Sequence, residues 1–488
     1  MPILIEIIHI MTTRRKFIQT AGIASAALIS GFHSFGSVTS RSFTSNRPEP
    51  GKRKFTSKAV DETIIKIKKT MADDELAWMF ENCFPNTLDT TVTYNEIDGE
   101  PSTYVITGDI DAMWLRDSSA QIWPYLSLAN QDEKLKNLLK GVVAKQTEFV
   151  LLDPYANAFY DDPNRISEWK DDFTDMKPGI HERKWEIDSL CYVIRLAHGY
   201  WKNTGDTSIF NNRWQNAMKL IVATFREQQR KGNNGSYHFQ RSATSPTDTQ
   251  FGRGYGNPTR KIGLIHSMFR PSDDSTIFPF LVSSNMFAVV SLKQLAEIFG
   301  SVLFNKNFEA ECTLFANEID QVLKHFAILQ HPTAGEIYPL EIDGFGNALF
   351  MDDANVPNLL SLPYLGFCNS TDPLYLNTRN FSLSKANPWF NEGKYASGIG
   401  GPHVGEKRIW PLGLVMQALT SNDDNEIINC LSILKKTHAG TGFIHESFHV
   451  DNPNNFSRSW FAWANTMFGE LILHLYNKKP ELLKIQLG

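Results

Sequence analysis

Cysteine is scarce in this chain: five in 488 residues, none in a Cys-x-x-Cys pair, which leaves little basis for a structural zinc site. The five (Cys83, Cys191, Cys312, Cys368 and Cys430) are scattered and odd in number, so buried free thiols are expected rather than a disulfide framework. Basic charge is not in excess either. Lys and Arg number 48 against 53 Asp and Glu, a net charge of −5 with the signs mixed along the chain, and that argues against a nucleic-acid partner. Beyond the first 35 residues no stretch is apolar for long enough to span a bilayer. Residues 60–488 contain no Pro- or Ser-rich linker and no repeat of fixed period, so one large domain is expected and a solenoid is not. Strand signals are few; only 91–95 and 103–107 read as a small hairpin.

Apolar side chains are plentiful. They make up 42% of the residues, with 12% aromatic including 11 Trp and 33 Phe, enough for a large core. Flat rings also suit the apolar face of a pyranose, although core packing is the plainer role of any single one. The N-terminus has its own character. Thr12-Thr13-Arg14-Arg15-Lys16-Phe17-Ile18 is a twin-arginine pattern, and the short apolar run 21–29 follows it. Together they resemble a Tat-type export signal over residues 1–35, with Met11 as an alternative true start. Residues 36–58, rich in Ser, Arg, Pro and Gly, read as a linker. The expectation is a protein exported to a periplasm or secreted, with no membrane attachment once the signal is removed.

Helical periodicity dominates the remainder, at 61–84, 134–152, 186–203, 208–227, 284–299, 308–326, 404–419, 425–435 and 459–476. In the last of these Trp460, Trp463, Ala464, Met467, Phe468, Leu471 and Leu475 recur at three and four residues and mark one buried stripe. Asp206 and Ser459 read as helix N-caps. Long segments dense in Gly, Pro, Asp, His and Trp separate the helices, at 107–117, 232–279, 338–358, 387–411 and 440–456. Helix pairs joined by such loops predict an all-α, α/α toroid, with the long loops gathered at one mouth.

Three of those loops carry chemistry. In 107–119 three aspartates (Asp109, Asp111, Asp117) crowd Trp114 and Arg116, groups that read sugar hydroxyls over an aromatic floor; capping of the next helix by Asp117 and Ser118 competes with that role. In Phe269-Arg270-Pro271-Ser272-Asp273-Asp274 the adjacent carboxylates repel, which raises one pKa and suits a general acid, or they cap a short helix. In Gly442–Asp451 a glutamate, Glu446, lies between His445 and His449. This spells the His-Glu-x-x-His zinc pattern literally, but the flanking Gly and the Asp-Asn-Pro-Asn-Asn run predict a loop, on which two imidazoles do not share a helical face. Further polar loops carry Asp353, His403 and Arg408.

In this order, Gly108–Ser118, Trp185-Glu186-Ile187-Asp188-Ser189, Phe269–Asp274, Met351–Asn355, Gly398–Trp410 and Phe443–Phe448 resemble glycoside hydrolase family 125 over about residues 60–480. The resemblance implies an (α/α)6 barrel and an inverting exo-α-1,6-mannosidase without metal or other cofactor. The expected partners are α-mannoside oligosaccharides or N-glycans, and a monomer is expected. The general acid then falls on Asp273, with Asp274 as the alternative, and the general base on Glu446. Asp109, Asp111, Trp114, Arg116, Asp117, Arg270, Asp353, His403, Arg408 and His445 fall in the substrate pocket. Inversion needs room for a water, so the two carboxyls are expected roughly 6.5–9.5 Å apart. Two rival expectations remain: another (α/α)6 exo-glycosidase, such as a glucoamylase-like enzyme, and a non-catalytic glycan-binding protein.

Overall fold

Two kinds of helix alternate along the chain, and the alternation builds the architecture. The computed structural model describes residues 43–488, and Ser45–Gly488 form one compact unit. The export-signal expectation for 1–35 lies outside the described residues. Helices α1 (Lys58–Lys68) and α2 (Asp74–Cys83) come first, then a hairpin of β1 (Val92–Ile97) and β2 (Glu100–Val105). There follow α3 (Leu115–Ile122), α4 (Glu133–Leu152), α5 (Ile187–Thr204), α6 (Asn212–Gln228), α7 (Val282–Ser301) and α8 (Lys306–Phe326). The last group is α9 (Leu362–Leu365), α10 (Pro373–Ser382), α11 (Pro411–Leu419), α12 (Asp424–Thr437) and α13 (Ala462–Lys478).

The odd-numbered helices from α3 to α13 form an inner ring. Packing runs α3 on α5, α5 on α7, α7 on α9 and α11 on α13, and α13 returns to α3. The even-numbered helices wrap outside: α4 on α5, α6 on α4, α8 on α7, α12 on α11 and α2 on α13. Side-chain patterns explain the division. Inner α3 is buried along its whole length, and α7 along nearly all of it. Outer α8 buries only Phe308, Cys312, Phe315, Ala316, Ile319 and Leu323, one stripe at three- and four-residue spacing. A helix enclosed on all sides must be apolar or internally satisfied all round; a helix against solvent need not be. The expected toroid is therefore the observed one.

The ring closes between chain ends. Ala462 N–H donates to the Thr107 carbonyl (3.0 Å) and Asp109 N–H to that of Trp460 (3.3 Å). Gly108 sits at φ +131°, and a Cβ there would stand 2.3 Å from the Trp460 carbonyl oxygen, so only glycine permits this approach.

Several boundaries differ from expectation. The run 61–84 is two helices, because Asp73 leaves the helix to accept from Leu76 N–H and caps α2. Asn211, not Asp206, caps α6; Asp206 instead accepts from Ser208 N–H and the Tyr200 hydroxyl. Helix α13 begins after Phe461, so Ser459 is not its cap, and 404–410 is turn and strand because Pro411 opens α11. Neither Asp117 nor Ser118 caps α3. Residues 45–57, within the expected 36–58 linker, belong to the compact unit and are tied to it at points, although most of their side chains are exposed. Arg47 binds Asp89 through Nε at 2.8 Å and Asp61 through Nη1 at 2.8 Å. All five cysteines are free, four of them buried. No helix among the described residues is long and apolar enough to cross a membrane.

Candidate active site

Each inner helix is entered from a loop, and the six entry loops touch one another in a closed circle. Arg116, at the start of α3, occupies its first station. Its guanidinium meets Glu186 at 2.6 Å and Asp188 at 3.5 Å, both at the entry to α5, and Asp273 at 3.1 Å ahead of α7; Asp117 lies at 3.5 Å. All five side chains are at most 7% exposed. Burial alone would depress the Arg116 pKa, but Glu186, Asp117, Asp273 and Asp188 together hold it well above the ordinary range. Burial drives Glu186 well above the usual carboxylate range against the pull of Arg116, and drives Asp188 up to about 6. One cation cannot balance four buried carboxylates, so protons stay on the deepest of them.

Asp273 and Asp274 lie in a turn, not at a helix start. Asp273 N–H donates to the Arg270 carbonyl (2.9 Å) and Arg270 N–H to that of Asp274 (2.7 Å). Asp273 adopts φ +69°, a strained conformation for a non-glycine residue. Its carbonyl accepts from Lys184 Nζ (2.9 Å), which also binds Asp248 (2.9 Å). Asp274 turns the other way: its Oδ1 lies 3.2 Å from His403 Nδ1, on the α11 entry loop. Arg270 is held by Glu341 (2.6 Å) and lies within electrostatic reach of Asp353 and Asp274. Asp353, on the α9 entry loop, accepts from Asn355 through Oδ1. Its Oδ2 faces Gly401, where a Cβ would stand at 2.7 Å.

Across the ring, Glu446 precedes a three-stranded sheet of β3 (Arg408–Ile409), β4 (Ser447–His449) and β5 (Asn452–Ser457). Its Oε2 accepts from the Ser457 hydroxyl (2.9 Å) and its Oε1 faces Arg458 Nη1 at 3.4 Å. Arg408 binds Ser447 and Asn455 and feels the Glu446 charge, which opposes the lowering of its pKa by burial. Arg458 also clasps Asp109, closing the circle back to the α3 entry. Aromatic rings line the way between the two carboxylate groups. Arg458 stacks on Phe461 (4.6 Å), Phe461 meets Trp463 and Trp410, Trp463 faces Arg116, and Trp410 faces His403.

Most of the expected site residues gather here, but not all of them. Asp111 is exposed and pairs with Arg165 (2.7 Å). Trp114 is buried in a cluster with Ala112, Ala158 and Tyr160, edge-on to His181. His445 stacks flat on Phe456 at 3.7 Å, and burial lowers its pKa to about 4. The stretch from His445 to His449 runs into a strand, so the helix that a His-Glu-x-x-His zinc site requires is absent. Glu186, Asp188, Lys184 and Arg458 were not singled out from the sequence for any role. The family-like phrase Trp185–Ser189 was a signal for the first two; Arg458 carried none.

Comparison with known proteins decides the family. The model of the metal-independent alpha-mannosidases (GH125) matches residues 73–473. The chain belongs to this family. It is 42% identical, over 90% of its length, to the meiotically up-regulated gene 157 protein of Schizosaccharomyces pombe, covering 89% of that protein. A solved family 125 structure from Streptococcus pneumoniae, a metal-independent α-mannosidase in a non-productive complex with α-1,6-mannobiose, is also 42% identical. The match covers 87% of this chain and all of that one, with a TM-score of 0.84. A bacterial glucoamylase complexed with acarbose shares the fold at 12% identity and a TM-score of 0.51, over 86% of this chain and 59% of its own. The (α/α)6 barrel is thus common to family 125 and to that enzyme.

Proposed function

We propose that this family 125 member is an inverting exo-α-1,6-mannosidase that removes terminal mannose from mannose-containing glycans. One observation carries the reading. Two sets of carboxyls with different surroundings, Glu446 and the Asp273–Asp274 pair, are linked by a run of ring contacts through Phe461, Trp463 and Trp410, in a chain of the α-mannosidase family. On one side Glu446 is met by Arg458 at 3.4 Å, with Arg408 close by. On the other side Asp273 and Asp274 sit among the buried carboxyls of Glu186, Asp188 and Asp353, and burial raises the pKa of each of those three.

In this mechanism the acid delivers its proton to the glycosidic oxygen as the bond from C1 to that oxygen breaks. Glu446 takes a proton from a water on the opposite face, the water oxygen bonds to C1, and β-mannose leaves. The left-handed strain and Arg116 contact at Asp273, and the His403 contact at Asp274, keep both as acid candidates. Among the buried polar atoms beside them that lack a hydrogen-bond partner in the protein are Arg270 Nη2, Asp353 Oδ2 and Trp410 Nε1. Two donors and one acceptor are what a bound sugar hydroxyl set satisfies, at a cost if left unmet.

The α-1,6 linkage is taken from the mannobiose seen with the S. pneumoniae relative. A panel of α-1,2-, α-1,3- and α-1,6-mannobiose beside α-glucosides tests it. Cleavage of the α-1,6 isomer above the rest supports the reading, and preference for a glucoside supports the glucoamylase-like alternative. The twin-arginine segment extends the proposal to a site of action outside the cytoplasm. N-terminal sequencing of the exported protein would show cleavage ahead of Ser45.

A further inference from the structure

We propose that Arg458 and Asp109 form a charge clasp that sets the ionisation of Glu446, with Arg458 a positioning residue for the base. The inference rests on reading Glu446 as that base.

Arg458 follows β5 directly and adopts φ +43°, a conformation an arginine does not take without compensation. The twist brings its guanidinium back over Phe461 at 4.6 Å, where the ring fixes its plane. From there it divides its charge. Nη1 faces Glu446 Oε1 at 3.4 Å, while Nε spans both oxygens of Asp109 at 2.9 and 3.1 Å, and Nη2 reaches the Thr107 hydroxyl at 3.3 Å. Asp109 has the shorter and more numerous bonds, so the grip on Glu446 is the weaker of the two.

The other groups around Glu446 leave this role to Arg458. From β5, Ser457 offers a neutral hydroxyl at 2.9 Å. From β3, Arg408 acts through space, its own bonds going to Ser447 and Asn455. On the chain's other side His445 turns toward Thr441 and the His438 carbonyl and stacks on Phe456, so it presents no formal charge to the base near neutral pH. Arg458 is thus the cation in contact with Glu446, and Asp109 is the anion that tempers it. Because Asp109 N–H is tied to the Trp460 carbonyl at the ring closure, the clasp also joins the two ends of the barrel at the base.

The clasp predicts opposite effects from its two halves, which a purely structural role would not produce. Removing the cation in R458Q destabilises ionised Glu446, so the acidic limb of the kcat/KM–pH profile should move up by about one pH unit. R458K should restore part of the shift. D109N frees the arginine's charge for Glu446, so its acidic limb should move down. Each profile is measured on purified full-length protein with an aryl α-mannoside, beside E446Q. Opposite shifts support the clasp. Unmoved limbs in both variants, with activity lowered equally at every pH, overturn it. If R458Q does not fold, the direction of the D109N shift decides alone. An E446Q variant that keeps wild-type activity refutes the base assignment instead, whatever the limbs do.

Discussion

Arg116 shows how much of the site depends on one side chain. Its guanidinium is the shared counter-ion of Glu186, Asp188 and Asp273, all buried. Replacing it with Met leaves uncompensated charge, so Arg116→Met should lose about 3–5 kcal/mol of stability near pH 7.5. The carboxyls can take up protons in acid, so the loss should be smaller at pH 5. Urea unfolding at the two pH values checks this; an equal loss at both would mean that packing, not charge, is what Arg116 supplies. The adjacent aspartates separate at the same scale. The acid's role falls away when the leaving group is a good one, so its Asn variant should keep far more activity on a dinitrophenyl α-mannoside than on mannobiose. Of Asp273→Asn and Asp274→Asn, the variant showing that contrast identifies the acid. If both lose the two substrates equally, neither donates the proton.

At the scale of elements, the inner helices begin where the chemistry is. The six sequence phrases that resembled family 125 all lie at or just ahead of α3, α5, α7, α9, α11 and α13, so the motifs and the barrel's mouth are the same set of positions. That is why Asp273, Asp274, Glu446, Asp353 and His403 could be picked out beforehand: each stood in a long loop with Gly and Pro, within or beside a phrase that resembles family 125. Asp111 shared such a loop, but it lies in the bend after Asp109 and points to solvent, paired with Arg165. Arg458 was invisible because its role comes from a left-handed twist after a strand whose residues, Asn-Pro-Asn-Asn, read as loop. Helix ends were misplaced where a side chain three residues away supplied the cap, as Asn211 does. The ring also has a partly buried lock. Arg195 on α5 stacks between Trp123 and Tyr364, and the Tyr364 hydroxyl donates to Glu470 on α13. Burial raises Glu470 from 4.5 to about 7 despite Arg195 and Tyr364. The folded state therefore holds this proton more tightly than the unfolded chain does, and stability falls as pH rises through that window. Glu470→Gln removes the dependence. Between pH 5 and 8 the wild type should lose on the order of 2 kcal/mol relative to the variant, read from paired denaturation curves. Parallel curves would show that Glu470 does not titrate in that range.

For the whole molecule, helices separated by long loops pointed to an α/α toroid, and the resemblance to family 125 supplied the six-fold barrel. Inner helices such as α7 and α11 are buried nearly all round, outer ones such as α8 carry a single stripe, and the loops between them are long. The N-terminal limit of the compact unit was less legible. A stretch of Ser, Arg, Pro and Gly reads as linker by composition, yet Arg47 anchors it to Asp89 and Asp61 by contacts remote in sequence. Substrate is the property that architecture alone leaves open, since the same barrel appears in a glucoamylase. What joins fold, family and site is the stereochemical claim: a water activated by Glu446 reaches C1 opposite the leaving group. Proton NMR of α-1,6-mannobiose during digestion tests it most directly, with Glu446→Gln as control. The account predicts that the β-anomer of mannose appears first and equilibrates later, while the variant produces neither. The α-anomer appearing first would contradict it.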